Sequence, residues 1–300
     1  MANPDKLELL AAFMKRNKRA REVKAKKEGF ASAAEYEVFL REGKSSTRKP
    51  RAAKTAKESV NTSKSSDLTD MVIAFDTTGS MASYIGDVKT HVTLLIPELL
   101  ADNPNLMISV VAFGDYCDMK SATEFGKAYQ VLDLTNDKTA LINFVKGAEN
   151  TSGGDGDEFY ELVIKKITEE TSWREGSNKS VLFIGDDAPH RVGYSYKGIV
   201  EKAQIDWKEE AEKAAAAGIV FDTLKIKPYQ IWYEKLSEIT GGLSLNFKSA
   251  NKTAHLVKAS ALARGGEATK AKFEKEFAGA TASGDKEMTA VYGMYKSIVK

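Results

Sequence analysis

The 300 residues include 42% hydrophobic side chains, and 44 Lys/Arg against 42 Asp/Glu leave a formal charge of +2. That apolar fraction excludes a wholly disordered chain, and a single cysteine, Cys117, excludes a disulfide framework and favours a reducing compartment. The charge is uneven: residues 1–66 carry 17 Lys/Arg against 8 Asp/Glu, a net of +9, whereas residues 67–300 carry 27 against 34, a net of −7.

Residues 4–27 have helical spacing, with Leu7, Leu10, Ala11 and Met14 on one face, and continue into the basic run KRNKRAREVKAKK. The basic residues follow the apolar patch, the reverse of a secretory signal. Ser32 and Glu35 have capping-box spacing ahead of a second short helix, AEYEVFLRE. Residues 43–66, almost without apolar side chains, cannot offset their ordering entropy and read as a linker. The reading is thus a basic helical arm (1–42), a flexible basic linker (43–66), a folded domain (67–262) and a C-terminal helical extension (263–300).

From Asp70 onward, apolar runs alternate with helical patterns. The strands expected are 71–75, 106–113, 129–134, 180–185, 219–226 and 243–247. The first helix places Ile85, Val88, Val92, Leu95 and Leu99 on one face, and Pro97 should end or kink it. Further helices are expected over 140–147, 159–171, 199–217 and 229–240. Residues 285–300 put Met288, Val291, Tyr292, Tyr295 and Ile298 on one face, a helix for packing on the domain or on a partner. Strands alternating with helices imply an α/β, Rossmann-like fold with a mostly parallel sheet covered on both faces. Strands 106–113 and 129–134 lack a helix between them, which suggests an antiparallel pair. No apolar run approaches the roughly 18 residues of a membrane span. Together these features point to a soluble intracellular chain, cytoplasmic or within a large assembly.

The stretch MVIAFDTTGSM (71–81) drives an apolar strand straight into a carboxylate and hydroxyls. In an open parallel sheet, ligands bind beyond the carboxyl ends of the strands, where strand order reverses. Asp76, Thr78 and Ser80 follow the first strand. Asp186 and Asp187 follow the strand SVLFIG. The glycine-rich TSGGDGDE (151–158) lies between them in sequence and leads into a helix. Three loops bearing oxygen donors suit a hard cation, Mg²⁺, Mn²⁺ or Ca²⁺. His91, His190 and His255 lie far apart in sequence, so zinc or iron is not expected. His190 and Asp187 read as supporting or exposed residues, and Asp115 and Asp118 as turn residues.

D-x-T-G-S-M after an apolar strand resembles the metal-ion-dependent adhesion site of von Willebrand factor type A domains, motif D-x-S/T-x-S. The similarity is to the branch found in alpha-type protein kinases and hemicentin-like proteins. VAFGDYCD (111–118), SGGDGDE (152–158) and GDDAPH (185–190) fit that branch in order, over roughly residues 70–250. The resemblance implies a six-stranded, mostly parallel sheet flanked by helices. It also implies metal ligation by Asp76, Thr78, Ser80, Asp155 and Asp186, with one coordination position open to a partner's Glu or Asp. Asp155 stands where many relatives have threonine, and Asp157 where the branch has proline. The extra carboxylate makes the cation a poorer electrophile for an acidic partner.

The resemblance implies a non-enzymatic, cation-dependent protein-binding or assembly module. Four other readings compete with it. D-T-T-G-S also resembles the D-K-T-G-T motif of haloacid-dehalogenase-type phosphatases, in which Asp76 would be a nucleophile beside Mg²⁺, although Thr78 replaces their usual acid/base Asp. The arm, residues 1–66, could bind nucleic acid by neutralising phosphates. It could instead tether the chain in a large structural assembly such as a virion, or mediate self-assembly. Finally, Thr78 or Ser80 could be no more than a helix cap.

Overall fold

The computed structural model describes residues 68–246, 250–296 and 299. The arm and linker expected over residues 1–66 lie outside these residues, as do Phe247 and Ile298.

Strand β1 (Thr69–Asp76) is buried along its whole length. Its alternate residues serve two cores: Met71, Ile73 and Phe75 face one layer of helices, and Val72 and Ala74 face the other. A strand apolar on both faces is what a central parallel position requires. Around it are β2 (Leu106–Phe113), β3 (Tyr129–Thr135), β5 (Asn178–Gly185), β7 (Ile219–Lys225) and the short β8 (Ser244–Asn246). The six form one sheet in the order β3-β2-β1-β5-β7-β8. All neighbours are parallel except β2 and β3, which pair antiparallel as their short connection suggested. A two-residue parallel pair, β4 (Asp157–Glu158) with β6 (Ala188–Pro189), stands apart from this sheet.

One face of the sheet is covered by α1 (Ile85–Asp102), α2 (Lys138–Gly147) and α6 (Ala250–Arg264). The other carries α3 (Tyr160–Glu170), α4 (Trp207–Ala216) and α5 (Trp232–Thr240). Helices α7 (Glu267–Ala282) and α8 (Lys286–Lys296) join the first layer: Phe273, Met288, Tyr292 and Tyr295 are buried in the same cluster as Leu99 and Val257. The C-terminal helix therefore packs on its own domain. A buried ion pair fastens α6 to the sheet, with the Arg264 guanidinium donating to Asp222 Oδ1 at 2.7 Å and the Ser260 hydroxyl donating to Oδ2 at 2.6 Å.

Three boundaries differ from expectation. Helix α1 runs past Pro97 to Asp102. Burial of Leu95, Ile96 and Leu99 on one stripe, each at ~1.5–3 kcal/mol, outweighs the lost backbone hydrogen bond. The helix expected over 199–217 starts only at Trp207, because the Asp206 carboxylate caps it by accepting from Lys208 N at 2.9 Å. Residues 196–200 form a tight turn instead, closed by Tyr196 N donating to Val200 O at 2.8 Å. Helix α5 likewise begins later than 229, at Trp232.

Candidate metal centre

Strand order reverses between β1 and β5, so their carboxyl ends open a crevice. Phe75 stands in register with Ile184, which places Asp76 beside Gly185 and Asp186 at the floor of that crevice. Asp76 has no exposed surface. Its Oδ1 accepts from Thr78 N at 2.7 Å, and its Oδ2 accepts from the Tyr160 hydroxyl. That hydroxyl also accepts from the backbone N–H groups of Asp186 (3.4 Å) and Asp187 (3.3 Å), joining the two strand ends.

Above Asp76 the hydroxyls of Thr78 and Ser80 are 3.3 Å apart, and Ser80 Oγ donates to Asp186 Oδ1 at 3.0 Å. Thr78 precedes a short 3₁₀ turn (Gly79–Ser83), but its side chain makes no capping bond to that turn. The hydroxyls point to the carboxylates, which disfavours the helix-cap reading. Gly79 is required here: its N–H donates to Ser152 O at 3.1 Å, and an added Cβ would lie 2.9 Å from that oxygen.

The glycine-rich loop is held from both sides. The Asp118 carboxylate accepts from Ser152 N (2.8 Å) and Gly153 N (3.1 Å), and Thr151 N donates to Thr77 O at 2.9 Å. The β4–β6 pair then binds its far end to the Asp186–His190 loop, with His190 N donating to Glu158 O at 3.2 Å. This pairing delivers Glu158, a residue the sequence reading passed over. Glu158 is 2% exposed, and among the described residues its Oε2 has no hydrogen-bond partner. Its carboxyl and the Thr78 side chain flank the bare α-carbon of Gly153 (φ +68°): a Cβ there would lie 3.0 Å from Glu158 Oε1 and 3.4 Å from Thr78 Cβ.

Asp155 goes elsewhere. It is exposed, and its Oδ2 accepts from the Tyr194 hydroxyl at 3.0 Å. It stands with Asp115 and His190, and the ligand atoms of these three lie within 4.8 Å of one another, close enough to share one ion. His190 is buried, not exposed: Nε2 lies 2.6 Å from Asp115 Oδ1, and the Tyr194 ring stacks on the imidazole at 3.7 Å. Asp115 also accepts from Cys117 N at 3.4 Å, in keeping with its expected turn role.

The electrostatics are those of crowded acids. Burial pushes the Asp76 carboxyl up to about 7, against the lowering effect of the Tyr160 and Thr78 hydrogen bonds. Burial, then the charges of Asp76, Asp115 and Asp187, hold Glu158 well above the carboxylate range. Lys227 is the counter-charge, with Nζ 3.1 Å from Asp186 Oδ2 and 2.6 Å from Asp187 Oδ2. Burial works against its ammonium, but the two aspartates outweigh that and raise its pKa. Oxygen donors only, buried carboxylates facing one another and a buried oxygen without a partner are what a hard cation fits.

No family model matches the chain. Over 199 residues it is 23% identical to an ariadne-like RING finger protein of Acanthamoeba polyphaga mimivirus, covering 61% of this chain and 18% of that protein. Among solved structures it is similar to the open conformation of the pilus adhesin SpaC from Lactobacillus rhamnosus GG, with a TM-score of 0.50 and 14% identity over 68% of this chain and 30% of the adhesin. The protein BatB from Bacteroides thetaiotaomicron overlaps 66% of this chain and 98% of its own, with a TM-score of 0.47 and 13% identity. The chain thus spans under a third of the adhesin and under a fifth of the mimivirus protein. The likeness to the adhesin is one of fold, and it is consistent with the von Willebrand type A-like arrangement that the motifs implied.

Proposed function

We propose that residues 67–262 form a von Willebrand type A-like module that holds one Mg²⁺ or Mn²⁺ through Asp76, Thr78, Ser80 and Asp186, and that the loaded crevice binds another protein. The observation that carries this reading is the convergence of those four side chains at the sheet's switch point, linked by bonds of 2.7–3.3 Å. The motif order over 70–250 supports placing the domain in the branch shared with alpha-type kinases and hemicentin-like proteins. Asp155 stands apart from these four, with Asp115 and His190.

A ligand role for Asp76 suits its geometry better than a nucleophilic one. It is fully buried, and both oxygens already accept hydrogen bonds. A phosphatase nucleophile must be open to a substrate's phosphorus in line, and Asp76 has no exposed surface. Residues 1–66, at +9, serve as an assembly element in this reading; Leu7, Leu10, Phe13, Phe30, Tyr36 and Phe39 are apolar groups that a purely electrostatic tail would not need.

Calorimetry with Mg²⁺ and Mn²⁺ on the full chain and on Asp76→Ala tests the site. The variant should lose binding, and unchanged binding would sink the assignment. Partner capture should be lost with a chelator and in Asp76→Ala alike. Loss in neither would remove the cation from the binding function.

A further inference from the structure

We infer that Glu158, not Asp155, supplies the third carboxylate of the cation site. This rests on the reading above, that a cation binds beside Asp76.

Three independent observations point to it. Glu158 is 2% exposed, yet its Oε2 has no partner among the described residues, and a buried oxygen left bare costs about 1–3 kcal/mol unless something meets it. The β4–β6 pair, a two-residue parallel link, ties the Glu158 backbone to Ala188–Pro189, just past Asp186, and so holds its carboxyl next to that loop. Gly153, held at φ +68°, leaves open the space that a Cβ would occupy between Glu158 and Thr78. A bare α-carbon between a hydroxyl ligand and a carboxylate keeps both facing one cavity. Asp155, by contrast, is exposed, and its Oδ2 is held by Tyr194 on the side of Asp115 and His190.

The assignment changes what the site can bind. With Asp76, Glu158 and Asp186 as ligands, three negative charges face a divalent ion, and Asp187 with its Lys227 partner adds no net charge beside them. The loaded site stays anionic. A partner's carboxylate is repelled from it, and the partner surface that fits is neutral or basic, reaching the crevice by way of the exposed Ser80.

The test is Mn²⁺ calorimetry on the full chain and on Glu158→Gln, Asp155→Asn and Asp76→Ala, with the melting temperature of each read with and without Mn²⁺. Glu158→Gln keeps the shape and should weaken Mn²⁺ at least tenfold and erase the Mn²⁺-induced rise in melting temperature. Its metal-free melting temperature should not fall. Asp155→Asn should stay within twofold of the parent chain. If Asp76→Ala abolishes binding while Glu158→Gln binds normally, Glu158 is not a ligand and this inference is overturned, with the site itself intact. If Asp155→Asn loses affinity instead, Asp155 is the third carboxylate. If all three variants bind normally, the cation is not held here and both readings fall together. Should Glu158→Gln not fold, Glu158→Asp, which keeps the charge one methylene short, must still weaken Mn²⁺; unchanged affinity in that variant would overturn the inference equally.

Discussion

The Tyr160 hydroxyl donates to Asp76 Oδ2, inside the sheet, and at the same time accepts from the backbone N–H groups of Asp186 and Asp187. One phenol thereby sets the orientation of Asp76 and the spacing of the loop that carries Asp186. Partners behind ligands commonly matter by 10–100-fold in metal affinity. Tyr160→Phe should therefore weaken Mn²⁺ by about tenfold or more, and should lower stability by ~1–3 kcal/mol because Asp76 Oδ2 is left buried without its donor. Calorimetry reads the first effect and urea unfolding the second. A stability loss with unchanged Mn²⁺ affinity would reduce Tyr160 to a packing residue.

The pH dependence follows from Asp76. Its carboxyl is raised from 3.8 to about 7, chiefly by burial. Between those values the metal-free fold keeps a proton that the unfolded chain has released. The unfolded state then binds fewer protons, so this residue's contribution makes stability fall as pH rises through that window and level off above about 7. Asp76→Asn removes that contribution, so the variant's stability should fall less steeply with pH. Metal binding runs the other way, since the ligand must lose its proton: Mn²⁺ affinity should drop about tenfold per pH unit on going below pH 7. Affinity that is flat from acid to alkaline pH would contradict a ligand role for Asp76.

His190 supplies a second titration with the same sign. Burial lowers its pKa, but the hydrogen bond and charge of Asp115 outweigh burial and hold it above 6.5. The pair therefore adds stability that is fully present below 6.5 and lost as pH rises through the raised folded value. Asp115→Asn should cancel that contribution and loosen the 3₁₀ turn that Asp115 caps. Thermal melts of both chains across neutral pH measure it; identical pH profiles would show that the imidazole is neutral throughout.

How much of this was legible in the sequence depends on the range of the interactions. The convergence of Asp76, Thr78, Ser80 and Asp186 on one crevice was readable because strand ends in a parallel sheet are local features, an apolar run meeting a polar residue. Glu158 was not, although it stands inside the quoted SGGDGDE. Its inward turn depends on pairing with Ala188–Pro189, some thirty residues away, and neither two-residue strand has a periodicity to detect. Asp155 was favoured by its place in the motif, and the structure gives it to Tyr194 by a contact across a loop that no spacing rule reveals. The late start of α4 had a visible signal, Asp206 ahead of Trp207 as an N-cap.

Gly153 offers a test of the loop that leaves every proposed ligand side chain in place. Alanine at φ +68° costs about 1–2 kcal/mol by conformation alone. The Cβ would also press on Glu158 Oε1 at 3.0 Å, tighter than an ordinary contact. Gly153→Ala should thus lose stability and Mn²⁺ affinity together. Gly156→Ala, where no atom lies within 4 Å of the new Cβ, should leave Mn²⁺ affinity unchanged. Equal behaviour of the two variants in Mn²⁺ titrations would mean that the Gly153 cavity does not shape the site.

The last prediction concerns α6, which fastens the C-terminal layer to the sheet. Asp222 is fully buried on β7 and receives Arg264 and Ser260 from α6 and Leu243 N from the loop before β8. Removing one partner of such a pair leaves a buried charge uncompensated, which costs about 3–5 kcal/mol. Arg264→Met should therefore destabilise the domain by about that much, while Asp222→Asn, which keeps the shape and removes the charge, should cost less. The site at the opposite strand ends should be untouched: any Arg264→Met protein that remains folded should bind Mn²⁺ as the parent chain does. Urea unfolding with and without Mn²⁺ measures both quantities. If Arg264→Met proves as stable as the parent chain, α6 is held by its apolar face alone, through Val257, Ala261 and Leu262, and the ion pair contributes orientation without stability.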